Sequence, residues 1–530
     1  MPQLASPPRP DRGDADAPDR GVPRLMKVAL AVAGPAIPAW QLDCIEAIRS
    51  VGGIDVRVVA VGDRPPRASR LAGPAFKPVA VACDATTLAG ADAVVDLSGG
   101  DVAVDAPLGV WSLRFDDSDD PELPFGREIA AGAATLQIAL VRRIGERRER
   151  VKTARVALGR WYPSMLRLAL RAASAWPAAY LAALRDGLPV PAEGDDAPRT
   201  RAPLGAFEQA AFLGALARRL VREALDTCFE IVEWNVGFVE GGARALLSGA
   251  PLRVRWLARP RRKTFVADPF VVERDGVRAM LVEHFDYAVG HGTIDALVLD
   301  EAGNVVERLR AIEAGTHLSY PYPIEDDGQL YVVPENCAAK QVALYRCVAF
   351  PDRWERETVL FPFDGVDTTI FRHDERWWAF CTRHSHGSTL ALHAFHAASL
   401  RGPWLPHALN PIAIDVTCAR PAGAPFVVDG VLYRPGQDCA RSYGAALAIA
   451  RIDELTPWSY RETVVRRIDP SSFGRWNAGV HTLSFSRGEA VIDGKHVYRD
   501  PRKLGWVGRR LREKLRRSLD RARIGRTRLA

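Results

Sequence analysis

The chain has 530 residues, 48% of them apolar and 25% charged, which is a globular composition with room for two or three domains. Its eight cysteines form no CxxC pair and lie at no zinc spacing with histidines, and no run of about 18 apolar residues occurs, which argues against a metal cluster, a disulfide framework and a transmembrane helix. Twelve Lys and Arg against two acids fall within 501–530, so the net charge of +7 is local and a nucleic-acid-binding surface is not indicated.

The N-terminal third is predicted to be an α/β domain. Residues 1–25 are rich in Pro, Asp and Arg and are expected to be a disordered lead-in. Apolar runs at Lys27–Ala33 and Asp55–Val61 then enclose a helical stretch from Pro38 to Val51, and further short strands follow. Strands that alternate with helices predict a Rossmann-like, doubly wound parallel sheet over residues 26–188.

Residues 189–229 are predicted to be a linker followed by a helix. The stretch 189–203 is polar and proline-containing, whereas Gly205–Cys228 has apolar residues at helical spacing, namely Leu213, Leu216, Leu220 and Ala224. Glu230–Val239 is predicted to be a strand that pairs with the first or last blade of the domain that follows it.

A unit of about 50 residues recurs five times from Asp268 onward. Each unit opens with a polar residue just before an apolar strand, and turn residues separate its first two strands: Asp-Gly at 275–276, 327–328, 429–430 and 493–494, and Asp374-Glu375 in the third unit. Repeats of this size predict an all-β five-bladed propeller over residues 230–498. The opening residues should converge on its axis: Asp268, Ser319, Asp367, Arg420 and His481.

Four carboxyl groups are the candidate catalytic residues. Asp268 and Asp367 are the two acids at the predicted axis, and paired carboxylates across a sugar-sized gap suit glycosidic bond chemistry. Glu283 and Glu335 end the second strands of the first two blades, where burial would raise the pKa of a general acid. The alternatives are strand or turn capping by the aspartates and salt bridges from the glutamates to Arg420 or Arg434.

The fourth blade supplies candidate substrate-binding residues. Its forked donors, amides and hydroxyls suit sugar hydroxyls, a carboxylate or a phosphate: Arg420, Arg434, Gln437, Asp438 and Tyr443. A structural network between blades is the alternative. His481 would close the ring from the fifth blade, either as a ligand contact or as a hydrogen-bonded core residue. We predict no cofactor and assign no metal ligands; a cation on the axis is the alternative, although the sequence has no oxygen-rich loop of EF-hand type.

The C-terminal segment 499–530 is predicted to be a basic amphipathic helix. Its apolar positions form one helical stripe, with Lys and Arg on the other faces: Leu504, Val507, Leu511, Leu515 and Leu519. Such a helix is expected to lie on an anionic membrane surface. Packing on the protein and binding of nucleic acid are the alternatives.

A series of motifs between about residues 230 and 495 resembles a known family. The motifs ADPF, VEHFDY, HLSYPYPIEDDGQLYVVPEN, RGPWLPHALNPI and RPAGAPF, in this order, are similar to the N-terminal region of plant glucosamine inositolphosphorylceramide transferases and their bacterial relatives. The resemblance implies a five-bladed propeller like those of hydrolases acting on arabinan, xylan and fructan. The resemblance also implies that transfer chemistry in the plant transferases belongs to a separate C-terminal domain that this chain lacks.

The resemblance also suggests roles for individual residues. The first-blade Asp-Pro of those hydrolases, which carries the base or nucleophile, matches Asp268. Ser319 and Tyr320 stand where the second blade supplies an Asp, and Asp367 stands near the place of the third-blade Glu. These departures put ordinary hydrolysis in doubt and leave Ser319 and Tyr320 as candidate substrate contacts.

Residues 26–188 resemble the formyltransferase fold that modifies amino sugars or initiator tRNA. The family's Asn-x-His-x-Ser segment corresponds to 109–115, with Trp111 and Leu113 in place of the Asn and the His. The resemblance therefore implies a degenerate domain that has lost formyl transfer by the family mechanism.

These inferences lead to one main hypothesis. We expect a carbohydrate-active enzyme of cell-surface glycan or glycolipid biosynthesis, cytoplasmic and peripheral to the inner face of the membrane, that binds and transfers or cleaves a sugar in the propeller funnel. The partners would be a carbohydrate or glycolipid substrate and an anionic membrane, without nucleic acid. A non-catalytic glycan-binding scaffold and a sugar formyltransferase are the alternatives.

Overall fold

The computed structural model describes residues 25–62, 76–81, 86–100, 102–115, 123–158, 162–197, 203–486 and 488–505. The predicted lead-in and most of the predicted C-terminal helix lie outside these ranges. Within the described residues, no helix is both long and apolar enough to cross a membrane. The helices are α1 (Ala39–Arg49), α2 (Thr86–Ala89), α3 (Gly126–Ala130), α4 (Tyr162–Ala173), α5 (Trp176–Arg185), α6 (Ala206–Phe229) and α7 (Gly242–Leu247).

The N-terminal region is built on a mixed sheet with helices packed against it. Its strands are β1 (Met26–Val32), β2 (Ala36–Pro38), β3 (Ile54–Ala60), β4 (Phe76–Pro78), β5 (Ala93–Asp96), β6 (Val110–Phe115), β7 (Thr135–Ile144), β8 (Arg147–Ala157) and β9 (Gly194–Asp195). Strands β3, β1, β5 and β6 are parallel, as expected, but β7 and β8 continue the sheet antiparallel. The sheet is therefore mixed and not wholly parallel, and the Rossmann-like class stays a prediction.

The C-terminal region is all-β and propeller-like, as predicted. Blade one contains β12 (Thr264–Arg274), β13 (Val277–Asp286), β14 (Gly292–Leu299) and β15 (Val305–Ile312); blade two contains β16 (Ser319–Asp326), β17 (Gln329–Glu335), β18 (Val342–Ala349) and β19 (Arg353–Phe361). Blade three contains β20 (Gly365–His373), β21 (Arg376–Arg383), β22 (Ala391–Ala397) and β23 (Leu405–Pro406); blade four contains β25 (Phe426–Val428), β26 (Val431–Asp438), β27 (Ala446–Leu455) and β28 (Tyr460–Ile468).

Blade five joins strands from both ends of the propeller sequence. Its order is β29 (Leu483–Ser486), β30 (Glu489–Arg499), β10 (Glu230–Val239) and β11 (Val254–Trp256), with β10 antiparallel to β30 over ten residue pairs. The predicted strand Glu230–Val239 is thus confirmed, and it pairs with the last blade. Because β10, the first propeller strand in sequence, completes the last blade, backbone hydrogen bonds close the ring.

The N-terminal sheet and blade three are continuous. Strand β24 (Ala413–Asp415) pairs antiparallel with β22 of blade three and parallel with β8 of the N-terminal region. The Arg155 guanidinium lies 3.0 Å from the Asp415 carboxylate across this junction. One twelve-stranded sheet therefore links the two regions.

Each of the first three blades begins with the same β-bulge. The register between the first two strands shifts at Ala267/Phe270, at Ser319/Tyr322 and at Val366/Thr369. The residue at the bulge has a positive φ in each case: 52° at Asp268, 45° at Tyr320 and 50° at Asp367. Bulges redirect side chains at functional rims, and here three equivalent bulges lie at the axis.

Four of the five predicted turns are confirmed, and one is wrong. Positive φ values at Asp275-Gly276, Asp327-Gly328, Asp374-Glu375 and Asp429-Gly430 fit two-residue hairpin turns. Asp493-Gly494 instead lies inside β30, opposite Val236 and Asn235. A Cβ at Gly494 would come within 2.3 Å of the Trp256 ring, so this glycine allows close packing within a strand.

Candidate functional site

Asp268 lies at the axis and holds three elements together. Its carboxylate accepts hydrogen bonds from the Tyr320 backbone N–H at 3.0 Å and from Thr482 Oγ1 at 2.5 Å. His481 Nε2 lies 3.4 Å from the same carboxylate. Asp268 is only 3% exposed, and burial raises its pKa to about 6, although His481 acts in the opposite direction. The first-blade aspartate therefore becomes a base only above mildly acidic pH.

A second buried aspartate, Asp493, orients His481 from behind. His481 Nδ1 lies 2.5 Å from Asp493 Oδ2, and the other Asp493 oxygen accepts the His481 backbone N–H at 2.8 Å. Burial lowers the pKa of His481, but the Asp493 and Asp268 carboxylates outweigh it and the net direction is upward. The imidazole ring therefore lies between two carboxylates, which favour its protonated form.

These three side chains could also hold a cation. Asp268, His481 and Asp493 each offer a ligand atom, and these atoms lie within 4.8 Å of one another. The 2.5 Å approach of His481 Nδ1 to Asp493 also fits a proton held between the two groups. We describe the three side chains below as an ion-paired network.

Glu283 and Glu335 occupy equivalent places opposite the bulges of blades one and two. Glu283 pairs in register with Ala267, and Glu335 with Ser319. Burial, reinforced by neighbouring carboxylates, raises the pKa of Glu283 well above its ordinary value and that of Glu335 to about 8. Both therefore favour the protonated form more than an ordinary carboxyl group does, and Glu335 can donate a proton near neutral pH.

Asp367 is tied into an ion pair from blade four. Arg420 Nε donates to Asp367 Oδ2 at 2.6 Å and its Nη2 donates to Oδ1 at 3.2 Å, while Gln437 Nε2 donates to Oδ2 at 2.6 Å. Arg420 Nη2 also lies 3.8 Å from Glu335. With both oxygens engaged, Asp367 is suited to positioning Arg420 and Glu335 rather than to accepting a proton.

An aromatic edge borders this cluster. Tyr443 is 42% exposed, and the Arg420 guanidinium lies 4.9 Å above its ring. Trp234 contacts the His481 ring at a centroid distance of 4.1 Å and the Tyr443 ring at 6.3 Å. The Lys495 ammonium donates to the Tyr443 carbonyl at 2.6 Å and so anchors the loop that carries Tyr443. An exposed ring beside charged hydrogen-bonding groups suits a sugar face.

Two of the predicted substrate contacts have their polar groups engaged elsewhere. Arg434 is 2% exposed and donates to both oxygens of Glu462 at 2.6 Å, inside blade four. Asp438 lies 2.5 Å from Arg467 and accepts the Ala440 N–H at 3.0 Å. The blade-four segment thus divides: Arg420, Gln437 and Tyr443 contact the axial cluster, whereas Arg434 and Asp438 form ion pairs within their own blade.

The predicted phase of blade two is wrong by one residue. Register and φ make Tyr320, not Ser319, the equivalent of Asp268 and Asp367. The Tyr320 ring is fully buried, and its hydroxyl lies 2.7 Å from Thr369 Oγ1 and accepts the Gly423 N–H at 2.7 Å. A phenol thus replaces a third axial carboxylate, and its hydroxyl is engaged within the protein.

Three residues of the cluster were missed by sequence reasoning. Asp493 was assigned to a turn because it precedes a glycine, Thr482 follows His481 without any motif, and Trp234 lies in the closing strand outside the repeats. A strand continued from Ala490-Val491-Ile492 through Asp493 would have placed this acid inside an apolar strand and not in a turn.

The comparisons with known proteins agree with the predicted resemblance. A family model described as the N-terminal region of glucosamine inositolphosphorylceramide transferase 1 matches residues 258–486. The transferase of that name from Oryza sativa subsp. japonica is 32% identical over 248 residues, 44% of this chain and 33% of the relative. The Arabidopsis thaliana protein is 32% identical over 249 residues, 44% of this chain and 32% of the relative. The chain spans about a third of the length of these relatives.

Solved glycoside hydrolase structures are also similar to part of the chain. An exo-β-1,3-galactanase from Phanerochaete chrysosporium matches with a TM-score of 0.32 and 14% identity, over 38% of this chain and 51% of that one. A GH43_1 enzyme from Xanthomonas citri matches with a TM-score of 0.33 and 13% identity, over 44% and 82% of the two chains. The blade count given above rests on the strand pairing of this chain itself.

Proposed function

We propose that the protein is a carbohydrate-active enzyme of glycolipid or surface-glycan biosynthesis that binds a sugar at the propeller axis and makes or breaks its glycosidic bond. The name shared by the matched relatives suggests the substrate class, a glycan built on an inositol phosphate lipid. Because the match covers only a third of those relatives, their activity remains a proposal for this chain.

The observation that carries this proposal is a difference between two buried axial carboxyl groups. Burial raises the pKa of Asp268 only to about 6, because the His481 imidazole and the hydrogen bond from Thr482 favour its carboxylate form. Glu335 is buried beside Asp367, and its pKa is raised to about 8. One base and one acid at neutral pH are the pair that glycosidic chemistry requires.

The reaction step follows from these states. The Glu335 carboxyl gives its proton to the glycosidic oxygen as the bond from that oxygen to the anomeric carbon breaks. Asp268 takes the proton of the attacking hydroxyl as that hydroxyl forms the new bond to the anomeric carbon. Water as the attacking group gives cleavage, and a sugar or inositol hydroxyl gives transfer. Arg420 would bind the substrate phosphate or hydroxyls, and Tyr443 would stack on the sugar.

Replacement of Asp268 by Asn tests the catalytic role. Nitrophenyl glycosides of glucosamine, galactose and xylose serve as donors, with water or vesicle-bound inositolphosphorylceramide as acceptor, and calorimetry measures the binding of the same glycosides. We expect turnover to fall by about 10²-fold or more while the dissociation constant changes little. If the Asn variant does not fold, Glu335→Gln serves as the second variant.

The scaffold alternative predicts a different result. A non-catalytic glycan-binding module would bind the glycosides without turning over any donor, and Asp268→Asn would then change affinity alone. Absence of turnover by the wild-type protein with every donor and acceptor, together with measurable binding, would overturn the catalytic proposal in favour of that module.

The role of residues 26–188 is proposed to be structural. Trp111, at the position of the formyltransferase Asn, is fully buried and stacks on Tyr180 at 6.2 Å between ring centroids. A formyl-folate donor would have to displace this packing. Calorimetric binding of formyl-folate would contradict this role and favour the formyltransferase alternative.

Association with the inner face of a membrane remains part of the proposal. Support comes from the basic amphipathic pattern of the C-terminal segment, of which only residues 499–505 are described. The same pattern motivates the proposed cytoplasmic location, since anionic lipids are concentrated on that face.

A further inference from the structure

Helix α6 buries only a small part of its apolar surface. Its 24 residues span about 36 Å, and of these, all described, only Phe212 is buried, with Ala215 and Leu216 partly buried beside it. Polar contacts complete the inward side: Glu208 lies 3.0 Å from Arg127, and Asp226 lies 3.4 Å from Arg499. A helix at a protein surface normally buries its apolar stripe and exposes its polar one.

The outward face of α6 is apolar along its whole length. Exposure is 86% at Phe207, 62% at Leu213 and 61% at Val221. At 100° per residue, these side chains share one face of the helix with the following residues: Ala210, Gly214, Ala217, Leu220, Ala224 and Leu225. No charged residue interrupts this face in the fully described helix. A continuous apolar face of this length marks an interaction surface.

Basic residues lie along the border of this face. Arg218 and Arg222 are exposed on one edge of α6. At the C-terminal end of the helix, Lys503 Nζ donates to the Asp226 carbonyl at 3.3 Å, so the basic segment that contains Arg499 and Arg502 packs near the end of α6, away from the apolar face. An apolar face bordered by arginines matches the interface of an anionic bilayer.

Two other occupants fit the charges less well. The chain beyond 505 is strongly basic, so packing it on α6 would bring like charges close to Arg218, Arg222 and Arg499. In a two-fold symmetric pair of antiparallel α6 helices, the edge that carries Arg218 and Arg222 would face its own copy. An anionic lipid surface satisfies both the apolar face and its basic border.

We propose that α6 is a membrane-binding helix, whose outward apolar face inserts into the headgroup region of an anionic membrane while Arg218 and Arg222 contact lipid phosphates. This surface is independent of the chemistry at the propeller axis. It is also separate from the predicted C-terminal helix, and either element could bind lipid without the other.

The test uses the full chain with vesicles of phosphatidylcholine, alone or mixed with phosphatidylserine, in a sedimentation assay. One variant replaces Leu213 and Val221 by Glu, on the outward face. The matched control replaces Gln209 and Thr227 by Glu, which adds the same charge to exposed positions of α6 outside that face. We expect the wild type and the control to bind mixed vesicles, and the face variant to bind at least tenfold more weakly.

The other outcomes are distinguishable. Equal binding of the face variant and its control, or no binding by the wild type, would overturn the proposal. So would a wild type that sediments as a dimer when the face variant is a monomer, since a second copy would then cover α6. A third variant, Leu511→Glu with Leu515→Glu, tests the C-terminal segment: if it abolishes sedimentation with vesicles while the face variant binds like its control, that segment is the membrane-binding element and the proposal is wrong. Turnover of the glycosides should be unchanged by the face variant, which separates this proposal from the catalytic one.

Discussion

Two buried arginines of blade four, fourteen positions apart, have similar hydrogen bonds and very different surroundings. Arg434 forms a bidentate pair with Glu462 and donates to the Cys418 carbonyl, all within its own blade. Arg420 forms a bidentate pair with Asp367 of blade three and lies 3.8 Å from Glu335 of blade two. The first arginine is matched by one carboxylate, whereas the second faces several carboxyl groups from neighbouring blades.

The difference shows what distinguishes a candidate site from a structural ion pair in this fold. A buried pair with balanced charge needs no further partner. At the axis, acids outnumber cations, so some carboxyl groups must stay protonated, as the raised pKa values of Glu283 and Glu335 indicate. This excess of protonated acids is typical of functional sites.

The largest expected effect is a loss of turnover when the axial cluster is changed, without a comparable loss when the Arg434–Glu462 pair is changed. Glu335→Gln removes the proposed proton donor and should lower turnover of nitrophenyl glycosides by about 10²–10⁴-fold. Glu462→Gln, at the Arg434 pair, should leave turnover of the folded protein within about twofold, because no step uses that residue. Comparable losses in both variants would show that activity reports general stability and not axial chemistry.

The next prediction concerns the arginines themselves. Arg434→Met and Arg420→Met each leave a buried carboxylate without its partner and should lower the free energy of unfolding by about 3–5 kcal/mol, measured by urea denaturation. Only Arg420→Met should also weaken the calorimetric binding of glycosides. If Arg434→Met weakens binding by the same factor, the assignment of Arg434 to blade structure alone is wrong.

A smaller effect is expected on the pH dependence of stability. The pKa of Glu335 is raised from 4.5 to about 8, so the folded state binds a proton that the unfolded state has lost between these values. Stability from this group is therefore complete below about pH 4.5 and is lost as pH rises through about 8. Glu335→Gln should flatten the decline of the unfolding free energy between about pH 5 and 9, while Glu462→Gln should not. An unchanged slope in Glu335→Gln would contradict the protonated state of Glu335.

Sequence reasoning could predict the propeller because its repeat and turn residues are local signals. Asp275-Gly276 and three similar pairs fix hairpins through positive φ, whatever surrounds them. The same rule failed at Asp493-Gly494, where glycine is needed to make room for Trp256 across blade five. Such a contact joins residues more than 200 positions apart and leaves no local trace.

The candidate site was predictable only in part, for a similar reason. The convergence of Asp268, Asp367, Arg420 and His481 follows from the repeat alone. The structure forms two ion pairs from them, Arg420 with Asp367 and His481 with Asp268, and the Asp367 carboxylate contributes to the raised pKa of Asp268. The one-residue error at Tyr320 arose because a β-bulge adds a residue without any change in composition. Side chains alternate between the two faces of a strand, so Arg434 and Gln437, on either side of Pro435 and Gly436, lie in different environments. This alternation decides which polar residues of blade four contact the axis.

The smallest expected effect is at Asp438. Its carboxylate pairs with the partly exposed Arg467 at the edge of blade four, and solvent-exposed pairs contribute about 0.2–1 kcal/mol. Asp438→Asn should therefore lower the unfolding free energy by no more than about 1 kcal/mol and leave glycoside binding unchanged, whereas Gln437→Leu, one position away, removes a donor to Asp367 and should weaken binding. Calorimetry on the two variants compares neighbouring residues that differ mainly in whether they reach the axis. A loss of binding in Asp438→Asn equal to that in Gln437→Leu would extend the site to the blade edge and break the distinction drawn between the two arginines.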